Sequence, residues 1–485
     1  MSIARHTSYN LAGALLPIAV SLVLTPMLVG AIGVARYGLF SIYLVLLGYF
    51  GLFDFGTGRA VGQRIASLRG ERRERRNRPF WTSLTICLCL CLVAAAIVAA
   101  AVPLIARFLD TANSELAAEL HSALYWLVLA VPLAMLSSQF TGALEGAEQF
   151  AFVNLVNVVT SVTLLALPLL AAFMISPELD VLAAAATAGR LVSLLGLIVG
   201  GAVLLPVRRP QFDPQDVRKL LAFGGWTTIS NVVGPILLMF DRFLIGRLLN
   251  SAAIGVYALP YSVMTQLQIL PTAINRTLFP RIASGTDEEA AATSLTAIAL
   301  LNSLVTCALV IAAPILLPFL RFWVGAQIGT AASPVAYALI PGIWANSLAM
   351  VSATALQAKA NTRFLALVHL SEIVPYLVLL YMGIHFLGVA GAALAWSARC
   401  MADALIIFSC QKVSLDKFAT LFSGIGLTAV TLVLLVLPWD GPLRWLLLVL
   451  IGAPTFWQAW HSRPAIARSY QQEALAGLRR MSWLR

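Results

Sequence analysis

The side chains of this chain that could do chemistry are charges set where charge is expensive. Asp54, Arg59, Arg190, Asp241, Arg242, Glu372, Arg399 and Asp403 each interrupt a run of apolar residues, and Arg276 stands at the edge of another. Left facing lipid at the centre of a bilayer, each such group would cost at least ~2.5 kcal/mol, so a protein-lined or hydrated cavity is the economical place for them. The planar fork of arginine suits phosphate or pyrophosphate oxygens. That makes Arg59, Arg276, Arg190 and Arg399 candidates for binding an anionic substrate. Asp54, Asp241, Arg242, Glu372 and Asp403 are candidates for coupling or gating, with H+ or Na+ as the coupling ion. Structural readings stand beside these. Arg59 and Arg276 lie close enough to the inner surface to snorkel, and Arg399 and Asp403, four residues apart, can neutralise each other with Glu372 at similar depth.

The elements that must hold these residues are membrane spans. Hydrophobic residues make up 60% of 485 positions and charged residues 11%, which excludes a soluble globular protein. Uncharged runs such as Leu11–Ala35, Trp81–Ala106 and Ala290–Leu320 are long enough to cross ~30 Å of hydrocarbon. The expectation is an all-α polytopic membrane protein of about fourteen spans, beginning near Tyr9, Gly38, Trp81, Ser122, Ala151, Val181, Gly224, Ala252, Leu295, Ala332, Thr362, Gly388, Phe418 and Pro442. The chain also repeats itself. Asn10 corresponds to Asn231, Tyr37 to Tyr257, Arg59 to Arg276, Arg64-Ile65-Ala66-Ser67 to Arg281-Ile282-Ala283-Ser284, and Arg190 to Arg399, at an offset that drifts only from 221 to 209. Ordered matches at a nearly constant offset point to an internal duplication of about six helices per copy, an arrangement found in transporters.

This divides the chain into an N-lobe (1–205, spans one to six), a cytoplasmic linker (206–223), a C-lobe (224–410, spans seven to twelve), two further spans (411–462) and a basic tail (463–485). Twenty-three of the 32 basic residues then fall on the side of the amino terminus and five on the other, which by the positive-inside rule makes both termini cytoplasmic. The net charge of +11 is therefore mostly membrane topology, with anionic headgroups as its partner; no nucleic acid is implied. The first apolar segment is too long for a signal-peptide core and is expected to be retained.

No catalytic constellation is present in the sequence. The five histidines are scattered, there is no nucleophile elbow or phosphate loop, and no segment outside the spans is large enough for an enzyme domain. Six cysteines make no disulfide framework, and Cys87, Cys89 and Cys91 alternate along one helix rather than gathering at a metal. Neither an enzyme, a metal site nor a cofactor is expected.

Asp241-Arg242-Phe243-Leu244-Ile245-Gly246, followed nine residues later by Gly255-Val256-Tyr257, resembles the aspartate-basic-glycine then glycine-tyrosine pattern of the polysaccharide transporters in the multidrug/oligosaccharidyl-lipid/polysaccharide (MOP) exporter superfamily. Tyr37-Gly38-Leu39 and Gly51-Leu52-Phe53-Asp54-Phe55-Gly56 resemble the first copy of that pattern, and the style is that of Wzx-type O-antigen and exopolysaccharide flippases. The resemblance implies two pseudo-symmetric lobes opening alternately to each side, and transfer of an undecaprenyl-pyrophosphate-linked oligosaccharide from the cytoplasmic to the outer leaflet of a bacterial plasma membrane. It implies a cavity lined by spans one, two, seven and eight, which here supply Asn10, Asn231, Tyr257, Tyr261, Gln266 and Gln268 besides the charges already named. Partners of such a protein include a polysaccharide polymerase and a chain-length regulator. The alternatives are a lipid II-type flippase, a cation-coupled multidrug exporter of the same superfamily, or a non-transporting scaffold of a polysaccharide assembly complex.

Overall fold

In hydrocarbon every backbone N–H and C=O must find its partner within the protein, and a single apolar segment meets that demand only as a helix. The computed structural model describes residues 3–49, 56–68, 73–109, 114–205, 210, 212, 240–284, 286–358, 362–410, 417–439 and 441–461, and all regular structure among them is helical. One compact unit, Met1–Ala258, contains α1 (Ile3–Tyr49), α2 (Thr57–Ser67), α3 (Arg73–Phe108), α4 (Ser114–Gly146), α5 (Phe150–Met174), α6 (Leu179–Leu204), a short α7 (240–248) and the first half of α8 (Ser251–Met264). A second, Leu259–Arg485, holds the rest of α8, then α9 (Ile269–Ser284), α10 (Asp287–Val324), α11 (Ala326–Ala358), α12 (Thr362–Cys410), α13 (Lys417–Val436) and α14 (442–461). Eight described helices are long and apolar enough to cross a bilayer, so the protein is an integral membrane protein. Thirteen of the expected span starts fall on described helix, and the one near Gly224 lies outside the described residues. The tail 463–485 and most of the linker 206–223 also lie outside them.

Two helices contain two spans each. α1 breaks at Gly33 (φ 79°) and α12 at Gly388 (φ 59°), conformations that only glycine adopts without strain. The α12 break is a reversal. Residues 372 and 399 make a salt bridge, yet along a straight helix they would stand about 40 Å apart. Gly383 and Gly391, on opposite arms, bring their backbones into contact. The repeated tetrapeptide behaves alike in both copies, since α2 ends at Ser67 and α9 at Ser284, with Ile65 and Ile282 buried.

In the first unit the short α2 is fastened to α4 by small residues. Gly58 and Gly62 meet Gly142 and Gly146 so closely that a Cβ on Gly142 would collide with the Gly58 carbonyl, and one on Gly146 with that of Gly62. Small residues four apart on both helices are what allows backbones to approach in lipid, where no hydrophobic force drives helices together. Val61, Ile65, Phe80, Leu144, Val153 and Leu197 fill the core around this crossing.

The second unit is built around α11, buried on nearly every face from Ala332 to Ser352. A polar chain ties the last helices to it: Trp344 Nε1 donates to Asn302 Oδ1 at 2.9 Å, Asn302 Nδ2 to Ser423 Oγ at 3.2 Å, and Ser423 to Gln458 Oε1 at 3.2 Å. Arg444 closes the far end of α13 and α14, donating to the Leu437 carbonyl and the Tyr337 hydroxyl while lying over the Tyr337 and Trp439 rings.

Gly142→Leu is expected to cost at least the ~1–3 kcal/mol typical of overpacking, because backbone rather than a flexible side chain must yield. Gly30→Ala, where nothing lies within 4 Å of the new Cβ, should stay within about 0.5 kcal/mol of wild type. Thermal unfolding of the purified protein in detergent checks both.

Candidate functional site

The clamped α2 presents one face away from its packing. Thr57, Gly58, Ala60, Val61 and Ile65 are buried, whereas Arg59, Gln63 and Arg64 are exposed. Gly56 in the left-handed region starts the helix, placing Arg59 in its first turn. Gln63, one turn further along the same face, was not singled out by the sequence reading, although its spacing of four from Arg59 marks it.

Arg190 sits in the middle of α6 and its Nε is buried, without a hydrogen-bond partner among the described residues. Its neighbour is Tyr43 of α1, whose hydroxyl is held at 2.6 Å from Thr187 Oγ1 and donates to the Ala183 carbonyl at 3.2 Å. Arg190 forms no carboxylate pair among the described residues.

The residues carrying the sequence resemblance meet in space. Tyr257 on α8 donates to Asp241 Oδ2 on α7 at 2.6 Å, and the Arg242 guanidinium carbon lies 6.0 Å from the Tyr257 ring centroid. Tyr37, the counterpart of Tyr257, lies near Arg242 and Thr25. All four of Tyr37, Asp241, Arg242 and Tyr257 are buried. Gly38 packs on the backbone of Ser251 and Gly255, and Gly255 on that of Val34, so the two Gly-Tyr segments, both helical rather than turns, cross at their glycines. The motif is a packed corner of aromatic faces around an acid and a guanidinium, with Asp241, Arg242 and Tyr257 engaged inside it.

The α12 reversal creates the densest group of charges. Glu372 faces Arg399 from the opposite arm, with Oε2 3.4 Å from Nη1, and the guanidinium carbon stands 5.3 Å from the Tyr376 ring centroid. Arg399 Nη2 also approaches the Cys400 sulfur at 3.8 Å. Asp403 Oδ1 is 3.9 Å from His369 Nε2. His369, Glu372 and Tyr376 are three and four residues apart and share a helix face, as do Arg399 and Asp403. His369 and Tyr376 escaped the sequence reading, though that spacing was available to it. Among the described residues no group of three or more His, Cys, Asp or Glu side chains is arranged to hold a metal ion.

On α8, Tyr261 meets Trp396 edge-on with ring centroids 5.6 Å apart. A single 3-10 turn, Thr265–Gln268, then joins α8 to α9 and leaves Gln266 and Gln268 half-buried. Such a change of pitch inside a span re-aims the side chains that follow, and Asn275 Nδ2 anchors the next stretch to the Met350 carbonyl at 3.2 Å. Asp54 and Asn231 lie outside the described residues. Asn10 and Arg276 lie on α1 and α9, with side chains outside the described set.

With this geometry in place, comparison with known proteins decides the family: the model of the "Polysaccharide biosynthesis protein" family matches residues 3–286. The chain belongs to that family. A Shigella flexneri relative of this polysaccharide biosynthesis family protein, named "Putative O-antigen transporter", is 29% identical over 409 residues, covering 84% of this chain and 97% of that one. Among solved structures, the lipid II flippase MurJ in an inward closed conformation superposes with a TM-score of 0.67 at 13% identity, over 97% of this chain and 99% of that one. An inward-facing multidrug-resistance MATE transporter gives 0.66 at 17% identity, over 82% and 97%. At those identities the likeness establishes the fold alone.

Tyr257→Phe removes a donor from a buried carboxylate and is expected to cost about 1–3 kcal/mol. Asp241→Asn keeps shape and acceptor and should cost less. Melting temperatures of the two variants, in protein that inserts normally, distinguish this packed corner from a cargo-facing site, whose substitution would leave stability unchanged.

Proposed function

We propose that this protein is an alternating-access flippase, not an enzyme, that carries a polyprenyl-pyrophosphate-linked oligosaccharide from the cytoplasmic to the outer leaflet of a bacterial plasma membrane. The cargo class rests on the family, on the name of the Shigella flexneri relative and on the chemistry of the exposed and unpaired cations. Arg190 is the observation that carries it: a guanidinium in mid-span without a carboxylate partner among the described residues is costly unless an anion visits it. Arg59 and Arg276 would engage the pyrophosphate at the cytoplasmic mouth. Gln63, Tyr261, Gln266 and Gln268, with Asn10 and Asn231, offer donors, acceptors and aromatic faces for sugars. Arg399, held by Glu372, is assigned a lesser part in binding. In this reading the two lobes are residues 1–205 and 224–410, both termini are cytoplasmic, and a polymerase and chain-length regulator take over the product.

Replacing Arg190 by Gln, and Arg59 together with Arg276 by Gln, is expected to reduce transfer of a labelled lipid-linked oligosaccharide in reconstituted vesicles by at least about tenfold, the equivalent of 1.4 kcal/mol, while folded protein is retained. Full activity in both variants rejects the assignment. A protein that exports cationic drugs and ignores the glycolipid would be the multidrug alternative, and one inactive on both would be a scaffold.

A further inference from the structure

The α12 reversal holds more acid than its own arginine neutralises. Glu372 lies 3.4 Å from Arg399 on the opposite arm, and Asp403, one turn beyond Arg399, lies 3.9 Å from His369, the residue one turn before Glu372, so the two acids stand together across the reversal; both are buried, at 7% and 8% of full exposure. The Arg399–Glu372 contact is 3.4 Å, longer than the 2.7–2.9 Å of a tight charge-assisted bond. Glu372 Oε1 and Asp403 Oδ1 are buried without a hydrogen-bond partner among the described residues. Two neighbouring carboxylates at low dielectric do not readily both remain ionised, and the one that takes up a proton becomes a donor for the other.

Helices α11 and α13 add no further carboxylate to the pair. His369 and Arg399 are the basic side chains facing the pair, with Tyr376 and Cys400 against Arg399. Helix α11, packed along α12, has no Asp, Glu, Lys, Arg or His, and its Tyr337 is engaged by Arg444. Helix α13 has Lys417 as its first residue, and Tyr261 of α8 lies against Trp396.

We propose that Glu372 and Asp403 share one exchangeable proton, which makes the α12 reversal a proton-binding site fastening its two arms together. With the proton bound, one carboxyl donates to the other carboxylate across the reversal. When the proton leaves to solvent, two anions face each other across the arms, only one guanidinium remains to bridge them, and the arms loosen. The Arg399 guanidinium 3.4 Å from Glu372 opposes a second full cation beside it, which favours a proton over Na+. The proton belongs to the pair, since strongly coupled acids titrate jointly.

Infrared difference spectra of the purified full-length protein, between mildly acidic and mildly alkaline buffer, read the carbonyl stretch of a protonated carboxylic acid, and an indicator dye counts protons released. Wild type is expected to lose that band and release one proton that both Asp403→Asn and Glu372→Gln lack, because either remaining acid then pairs with Arg399. A wild type without the band, or both variants with it, overturns the proposal. Where an amide variant does not yield monodisperse protein, Arg399→Lys replaces it: the band should persist with a shifted pH midpoint, and an unshifted midpoint counts against the site. No cargo is present, so failure here leaves the flippase reading standing. The link to transport rests on that reading: stimulation of glycolipid transfer by a pH gradient should vanish in Asp403→Asn, and stimulation that persists severs the link.

Discussion

Hydrocarbon offers no hydrogen-bond partner, and that constraint shapes this protein from backbone to binding groups. It makes every described span a helix and leaves only a few places where the chain turns. All the positive-φ glycines among the described residues stand at such places: Gly33 and Gly388 inside the two double spans, Gly56 before α2, and Gly325 between α10 and α11. Glu148, the described non-glycine residue with positive φ, sits in the turn between α4 and α5. These tight reversals let an apolar chain pass from one span to the next while exposing few unsatisfied carbonyls.

The same constraint sorts the charges. Arginines in this protein are repeatedly laid against aromatic rings, with Arg242 on Tyr257, Arg399 on Tyr376 and Arg444 on Tyr337 and Trp439. A ring face stabilises a desolvated guanidinium without the cost of burying a second ion. Arg399 has carboxylates besides, whereas Arg190, its counterpart in the duplication, has Tyr43 and no acid among the described residues. The two matched arginines thus differ in surroundings, one paired with Glu372 and the other beside Tyr43.

Close approach of backbones is the complementary device. Gly58, Gly62, Gly142 and Gly146 lock α2 to α4, and Gly38 crosses Gly255. In each case the glycines position something else: Arg59 on the free face of α2, and the buried Tyr37–Arg242–Tyr257 corner beside the Gly-Tyr segments. Mutations at these glycines would be felt at those side chains through the helix positions they set.

Much of the fold was legible in the sequence, because the length of an apolar run is a one-dimensional property and hydrocarbon thickness is nearly constant. Even the Gly388 break fell where the sequence starts a new span, since a helical stretch of twice the span length has to turn part-way along it. The internal repeat was legible for the same reason: spacing survives in a string of letters. The partners of the charges were not legible. Nothing in the order of residues said that Asp241 would be capped by Tyr257, that Glu372 would meet both Arg399 and Asp403, or that Arg190 would face Tyr43, because those contacts join helix faces whose rotation is set by packing. Sequence by itself determined that this chain is a bundle of membrane helices with charges in costly places. Only the tertiary structure decided which of those charges are neutralised by their neighbours, since compensation of a buried ion depends on contacts of a few ångströms between residues far apart in the chain.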